Sequence, residues 1–159
     1  MSSGIKQKLT VNFSGYAGKF TSVFLLLMVL LISVHSAVAE DIVVVSRKGS
    51  PAPTPITRYV LSAIFGMRLT TWPDGSAIRV FVLPDDNPIH TLFCKQILHI
   101  FPHQLRTAWD RLVYSGTGQA PVVLSSEQEM QTRIAKTPGA IGYLTKETLD
   151  ENIAILPVE

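Results

Sequence analysis

The stretch Ile78–Pro88, with the sequence IRVFVLPDDNP, decides the fold class of this chain. Its first six residues, up to Leu83, are apolar apart from Arg79, and such a run predicts a buried strand. Asn87 is a residue type that caps helices, and Pro88 is favoured at the first helical position. The stretch therefore predicts a strand that passes through a short polar loop into a helix, as in an α/β domain.

Strands and helices continue to alternate on both sides of this stretch. Runs of β-branched residues predict the strands, and apolar residues at helical spacing predict the helices. Besides Ile78–Leu83, the predicted strands are Ile42–Val45, Val122–Leu124, Ala140–Leu144 and Ile153–Leu156. The predicted helices are Ile56–Phe65, Pro88–Leu98, Pro102–Tyr114 and one that runs to Lys136 from a capping box of Ser125 with Gln128 or Ser126 with Glu129. This alternation predicts an α/β domain with a mostly parallel sheet flanked by helices.

Trp109 and Cys94 are both expected in the core. Trp109 shares a helical face with Leu105, which favours packing over contact with a ligand. Cys94 follows Phe93 in an apolar segment, so a buried thiol is favoured over a reactive one. Because Cys94 is the only cysteine, the chain cannot form an internal disulfide.

The first 39 residues have the pattern of a secretory signal peptide. The apolar run Val23–Ile32 follows three lysines (Lys6, Lys8 and Lys19), and no acid precedes it. The run is shorter than the roughly 20 residues that span a bilayer. Small residues end the segment, which predicts cleavage after Ala39. An uncleaved membrane anchor is the alternative.

Removal of this leader changes the charge of the protein. Three of the 14 lysines and arginines lie in the leader, whereas all 12 acids lie after it. The mature chain, residues 40–159, then has 11 cations against 12 anions and a net charge of −1. It is long enough for one domain with its own core. Because the basic excess belongs to the leader, the charge gives no support to nucleic-acid binding.

The polar run Asp85-Asp86-Asn87 is the first candidate site. It lies between a strand and a helix, which is where open α/β sheets bind ligands. The helix N-terminus attracts anions, but two carboxylates beside it would repel a phosphate. Helix capping is therefore the favoured interpretation, and ligand binding is the alternative.

The run Ser115-Gly116-Thr117-Gly118 is the second candidate. Its backbone N–H groups could surround an anion. A phosphate loop gains most when it opens a helix, whereas Pro121 follows here. The sequence favours a plain turn that ends the preceding helix.

Metal binding and catalysis have little support in the sequence. The mature chain has three histidines, His90, His99 and His103, and Pro102 is expected to break the helix between the last two. No Gly-x-Ser-x-Gly elbow indicates a nucleophile. We expect no metal, no cofactor and no catalytic residue.

Two segments resemble the periplasmic phosphate-binding proteins of ABC transporters. Pro138–Tyr143, PGAIGY, is similar to a segment of that family almost letter for letter. Leu61–Arg68 with Trp72 resembles its "IF-x-G-K-x-x-x-W" stretch, with Met67 and Arg68 where that stretch has Gly and Lys. The resemblance covers nearly the whole mature chain, but a full member has two lobes. It therefore implies a single lobe of a type 2 periplasmic binding fold.

The stretch that corresponds to the family's ligand loop departs from the family pattern. The family has an Arg near a Ser-Gly-Thr run, and both are missing from Leu83–Thr91. Pro88 removes a backbone donor, so His90 and Thr91 remain as donors to an anion. The resemblance thus implies weak or absent phosphate binding.

A lone lobe would expose the face that its partner lobe covers in the family. On the resemblance, this face carries the loops Ser46–Ser50, Asp85–His90 and Tyr114–Gly118. His90 and Tyr114 are the expected anchors of a protein contact, because amphipathic rings suit interfaces.

Together these observations predict an exported, periplasmic, non-enzymatic accessory or sensory binding module. Its expected partner is a periplasmic or membrane protein, either a transporter or a sensor. A phosphate-binding or small-anion-binding component of a transport system is the alternative, and an enzyme of unknown type is a weaker one.

Overall fold

The computed structural model of the protein describes residues 41–159. The expected signal peptide, residues 1–39, and its cleavage site therefore lie outside the described residues. None of the helices described is both long and apolar enough to cross a membrane.

Five strands and four α-helices make up the described chain. The strands are β1 (Ile42–Arg47), β2 (Arg79–Val82), β3 (Val122–Val123), β4 (Ala140–Thr145) and β5 (Ile153–Ile155). The helices are α1 (Arg58–Phe65), α2 (Pro88–Leu92), α3 (Pro102–Tyr114) and α4 (Glu127–Lys136), with a π-helix at Phe93–Leu98 and a 3₁₀ turn at Lys146–Thr148. All the predicted strands and helices exist, and their bounds differ by a few residues.

The five strands form one sheet in the order β3-β2-β4-β1-β5. β2 runs parallel to both β3 and β4, whereas β1 runs antiparallel to both β4 and β5. The prediction of an α/β fold is confirmed, but a mostly parallel sheet is only partly correct. A strand buried on both faces has one continuous apolar run, whether it is parallel or antiparallel to its neighbours. The apolar runs therefore did not reveal that β1 is antiparallel.

Helices cover both faces of the sheet, and β4 shows which residues face which layer. A Cβ at Gly142 would lie 2.8 Å from Ile134 Cδ1 and 2.9 Å from Met130 Sδ, so α4 packs directly on this backbone. The next residue, Tyr143, points to the other face, where its ring stacks on Phe93 at 3.9 Å between centroids. A larger residue at position 142 would therefore push the side chains of Ile134 and Met130 aside.

Two helix predictions need correction. Ile56 does not start α1 but pairs with Val158 in an isolated bridge, and Thr57 caps the helix by accepting a hydrogen bond from Val60 N–H. The helix that begins at Pro88 reaches Leu98, as predicted, but continues as a π-helix from Phe93.

The other predicted helix starts are confirmed in their essentials. Asn87 Oδ1 accepts from Ile89 N–H at 2.8 Å, with Pro88 in the first turn. Ser126 caps α4 by accepting from Glu129 N–H at 3.2 Å. The Glu129 carboxylate reaches back to Ser125 rather than to Ser126, so the capping box is shared between two serines.

Candidate functional site

The strand directions decide which loops lie together. We call the carboxyl end of the sheet the end where β2 and β4 finish, and the amino end the end where they begin, at Arg79 and Ala140. β1 is antiparallel, so its last residue, Arg47, lies at the amino end. The loop that starts at Asp85 follows β2 and lies at the carboxyl end.

The three loops expected on one face are therefore divided between two ends. Ser46–Ser50 lies at the amino end, opposite Asp85–His90. Tyr114–Gly118 leads into the start of β3, which runs parallel to β2, and so approaches from the amino end as well. The expected common face is wrong. The antiparallel direction of β1 places Ser46–Ser50 at the amino end, and Tyr114–Gly118 precedes β3 rather than following a strand.

At the carboxyl end, Asp85 forms a two-pronged ion pair with Arg106 of α3. Arg106 Nε and Nη2 donate to the two carboxylate oxygens of Asp85 at 2.8 and 3.0 Å. The hydrogen bond to Asp85 raises the pKa of Arg106. The guanidinium also lies 5.1 Å from the centroid of the Trp109 ring, so it is held on two sides.

Asp85 belongs to Leu83–Thr91, the stretch that the resemblance matches to the family's ligand loop. The Asp85 carboxylate already binds the Arg106 guanidinium, which an incoming anion would otherwise bind. Asp86, the next residue, is exposed and adds a second negative charge. The sequence did not indicate Arg106, because it is 21 residues away on another helix. Only the tertiary fold brings the two groups together.

His90 lies beneath this pair in a buried hydrogen-bonded network. Leu83 N–H donates to Tyr143 Oη at 2.8 Å, and Tyr143 Oη lies 2.6 Å from His90 Nδ1. Tyr143 Oη accepts from Leu83 and shares a second hydrogen bond with Nδ1, in which the histidine tautomer sets the donor. Nε2 faces Cys94 Sγ at 3.6 Å and Asp85 Oδ1 at 3.9 Å.

Burial disfavours the charged forms of the side chains in this network. It lowers the pKa of His90 against the opposing pull of Asp85, and it raises the pKa of Tyr143. Burial also raises the pKa of the Cys94 thiol to about 12, so Cys94 stays protonated and unreactive, as the sequence predicted. His90 is fully buried, and the expectation that it lies exposed as an anchor for a partner is wrong.

The buried, neutral His90 predicts a dependence of stability on acid. The unfolded chain binds the imidazole proton near pH 6.5, whereas the folded protein binds it only at lower pH. The free energy of unfolding should then fall by up to about 1.4 kcal/mol per pH unit below about pH 6.5. Denaturant titrations between about pH 7.5 and 5 measure this slope.

His103 provides the matched control, because it is exposed on α3. His90→Gln should have a flatter pH profile and His103→Gln should keep the slope of the wild type. A slope that survives in His90→Gln would show that another group is responsible.

The run Ser115–Gly118 is a helix-ending turn, as the sequence favoured. All four of its backbone N–H groups donate to carbonyls of α3, those of Arg111, Leu112 and Val113. Gly116 has a φ of +69°, a conformation that glycine adopts readily. No N–H group of this run is left to surround an anion. Tyr114, just before it, is 88% exposed.

The remaining candidate residues are dispersed. Ser46 is buried in the sheet and its hydroxyl points to the Arg47 carbonyl, so it is not a surface residue. Of the two expected anion donors, His90 is buried and Thr91 is half-buried on α2. His99 and His103 are exposed on either side of Pro102. Among residues 41–159, no three His, Cys, Asp or Glu side chains form a metal-binding group.

The two segments that carry the family resemblance meet in space. Trp72 Nε1 donates to Gly139 O at 3.1 Å, and Arg79 N–H donates to the same carbonyl at 3.0 Å. A Cβ at Gly139 would lie 2.2 Å from Ala77 O, so this contact requires glycine. Met67, where the family stretch has Gly, has a φ of +57°, as a glycine position would. These motif residues hold the fold together.

Comparison with known proteins establishes the fold. No protein-family model matches the chain, and no curated protein does. Among solved structures, PstS from Borrelia burgdorferi aligns at 19% identity with a TM-score of 0.56, over 74% of this chain and 47% of that one. A protein from Clostridium perfringens, assigned as a phosphate ABC transporter substrate-binding protein and solved with bound phosphate, aligns at 16% identity with a TM-score of 0.56.

The chain spans less than half the length of either structure, since it covers 44% of the Clostridium perfringens protein and 47% of the other. This agrees with the expected partial, single-lobe architecture. The resemblance that the sequence motifs indicated is thus confirmed in the fold: the described residues have the α/β fold of part of a phosphate-type substrate-binding protein.

Proposed function

We propose that the protein is an exported, non-enzymatic binding module that acts through a protein partner rather than by capturing phosphate. The partner is a membrane or periplasmic protein of a transport or sensing system. The proposal places the mature chain, residues 40–159, in the periplasm after cleavage of the leader. The described residues share the fold of part of two substrate-binding proteins, and this likeness supports a binding module.

The Asp85–Arg106 pair is the observation that carries this proposal. The guanidinium of Arg106 is bound on two prongs by the Asp85 carboxylate, which lies just before α2. An incoming phosphate would have to displace that carboxylate and lie close to the exposed Asp86. It would also lack the N–H group that Pro88 cannot supply. The competing carboxylate, the nearby negative charge and the missing N–H group all weaken the binding of an anion.

Exposed apolar residues support the protein partner. Val113 and Tyr114, at the end of α3, are 47% and 88% exposed. β3 is an outer strand of the sheet, and its residues Val122 and Val123 are also exposed. A strand with one unpaired side is a template for contact with another chain.

The alternative is a true phosphate-binding component of a transport system. The Clostridium perfringens structure, which contains phosphate, is the observation that favours it. The two functions differ in the affinity for phosphate, which can be measured directly.

Isothermal titration of phosphate into the protein purified from the periplasm tests the proposal. We expect a dissociation constant above about 1 mM, which corresponds to a binding free energy of about −4 kcal/mol. Asp85→Asn should tighten binding about fivefold, because it frees the Arg106 fork for the anion. Asp86→Asn is the matched control, since it removes the same charge from an exposed residue and should have a smaller effect.

A micromolar constant for the wild type, about −8 kcal/mol, would overturn the proposal in favour of the transport component. The partner is tested in cells by a photo-crosslinker in place of Tyr114. It should yield an adduct with a membrane or periplasmic protein, and no adduct would contradict the protein contact.

A further inference from the structure

The amino end of the sheet has a second feature that the proposed function does not use. A cavity of about 720 Å³ opens there between the loop after β1, the turn before β2 and the turn before β4. Its volume is within the range of small-molecule sites. It lies at the opposite end of the sheet from Asp85 and Arg106.

Three cations from two strand ends line this cavity. They are Arg47 and Lys48 at the end of β1, and Arg79 at the start of β2. None of the three forms an ion pair with a carboxylate among residues 41–159. Lys48 Nζ donates to the backbone carbonyl of Glu151 at 3.5 Å, which does not neutralise its charge. The three positive charges therefore remain to attract a ligand.

The only acid of the lining, Asp74, is engaged within its own turn. Its carboxylate accepts hydrogen bonds from the N–H and the hydroxyl of Ser76 at 2.9 and 2.7 Å. With three cations and one acid, the lining has a net charge of +2. A concave site of one sign concentrates ions of the opposite sign.

The walls of the cavity are fixed by hydrogen bonds. Gly139 O accepts from both Trp72 Nε1 and Arg79 N–H, which joins the two turns. Trp72 N–H donates to Ser76 O at 2.8 Å and closes the turn before β2. A site whose walls are already ordered loses little entropy when a ligand binds.

From this geometry we propose that the cavity binds a small anion that carries at least two negative charges, with Arg47, Lys48 and Arg79 as its ligands. Ser50 and Thr137 also line the cavity, and a hydroxyl can donate to ligand oxygens. Carboxylate and phosphate groups both fit this chemistry. The lining shares no residue with the proposed partner contact, and the site does not depend on the proposed function.

Nuclear magnetic resonance of the wild-type protein, produced from the full-length chain, provides the first test. Citrate and pyrophosphate are titrated separately, so that the carboxylate and phosphate sources are distinguished. At least one should give saturable shifts in the amides of residues 47–51, 74–79 and 137–139. Shifts confined to residues 85–91, or no saturable shift with either anion, would overturn the proposal.

Charge-removing variants provide the second test. Arg47→Gln and Arg79→Gln should each weaken binding about tenfold, because each removes a charge-assisted hydrogen bond. Both side chains are exposed, and thermal melting should show that the variants fold. Arg111→Gln is the matched control, since it removes a cation from the exposed side of α3.

If either arginine variant fails to fold, it is replaced by Lys48→Gln and Thr137→Glu. Each of these should weaken anion binding. Equal losses in Arg111→Gln and in the cavity variants would show attraction by overall charge alone, and would contradict a site. The proposal is also contradicted if none of the cavity variants weakens anion binding.

Discussion

Val45→Asp should abolish cooperative folding. Val45 is fully buried in β1, between β4 and β5, where it pairs with Gly142 and Ile155. A carboxylate there would have no partner and no water, and an unpaired buried charge is among the costliest changes known. The loss should exceed about 5 kcal/mol, which is the whole stability of many domains. Circular dichroism with denaturant measures it.

Val43→Asp is the control in the same strand. Val43 is only partly buried, whereas Ile42, Val44 and Val45 are buried. Its carboxylate can reach water, so we expect a loss of about 1–2 kcal/mol. Equal losses at the two positions would show that the burial of β1 differs from the structure described.

Tyr143→Phe should have the second largest effect. The substitution removes only the hydroxyl, which leaves Leu83 N–H and His90 Nδ1 buried without a partner. Each orphaned group costs about 1–3 kcal/mol, so we expect a total loss of about 2–6 kcal/mol. The free energy of unfolding from denaturant titration measures it.

Tyr114→Phe is the matched control, because the Tyr114 side chain is almost fully exposed. It should change the free energy of unfolding by less than about 0.5 kcal/mol. If both variants lose the same small amount, the hydroxyl of Tyr143 does not hold the end of β2 in place.

The local structure of this protein was predictable from its sequence. Apolar runs gave the strands, and short polar residues marked the helix starts, as at Asn87 and Ser126. The PGAIGY segment indicated the fold of phosphate-binding proteins, which the solved structures confirm. These features depend on residues close together in the chain, so a linear pattern contains them.

The candidate sites depended on the tertiary structure. Only strand direction shows that the end of β1 lies opposite Asp85, and an apolar run has no direction. Only packing brings Arg106 to Asp85 across 21 positions, and buries His90 against Tyr143.

The sequence by itself therefore determined the fold class and the residue types at each loop. The tertiary structure decided which of those residues meet and which remain in water. The physical reason is that a charge or hydrogen-bonding group takes its properties from the groups within a few ångströms of it. Those groups come from distant parts of the chain.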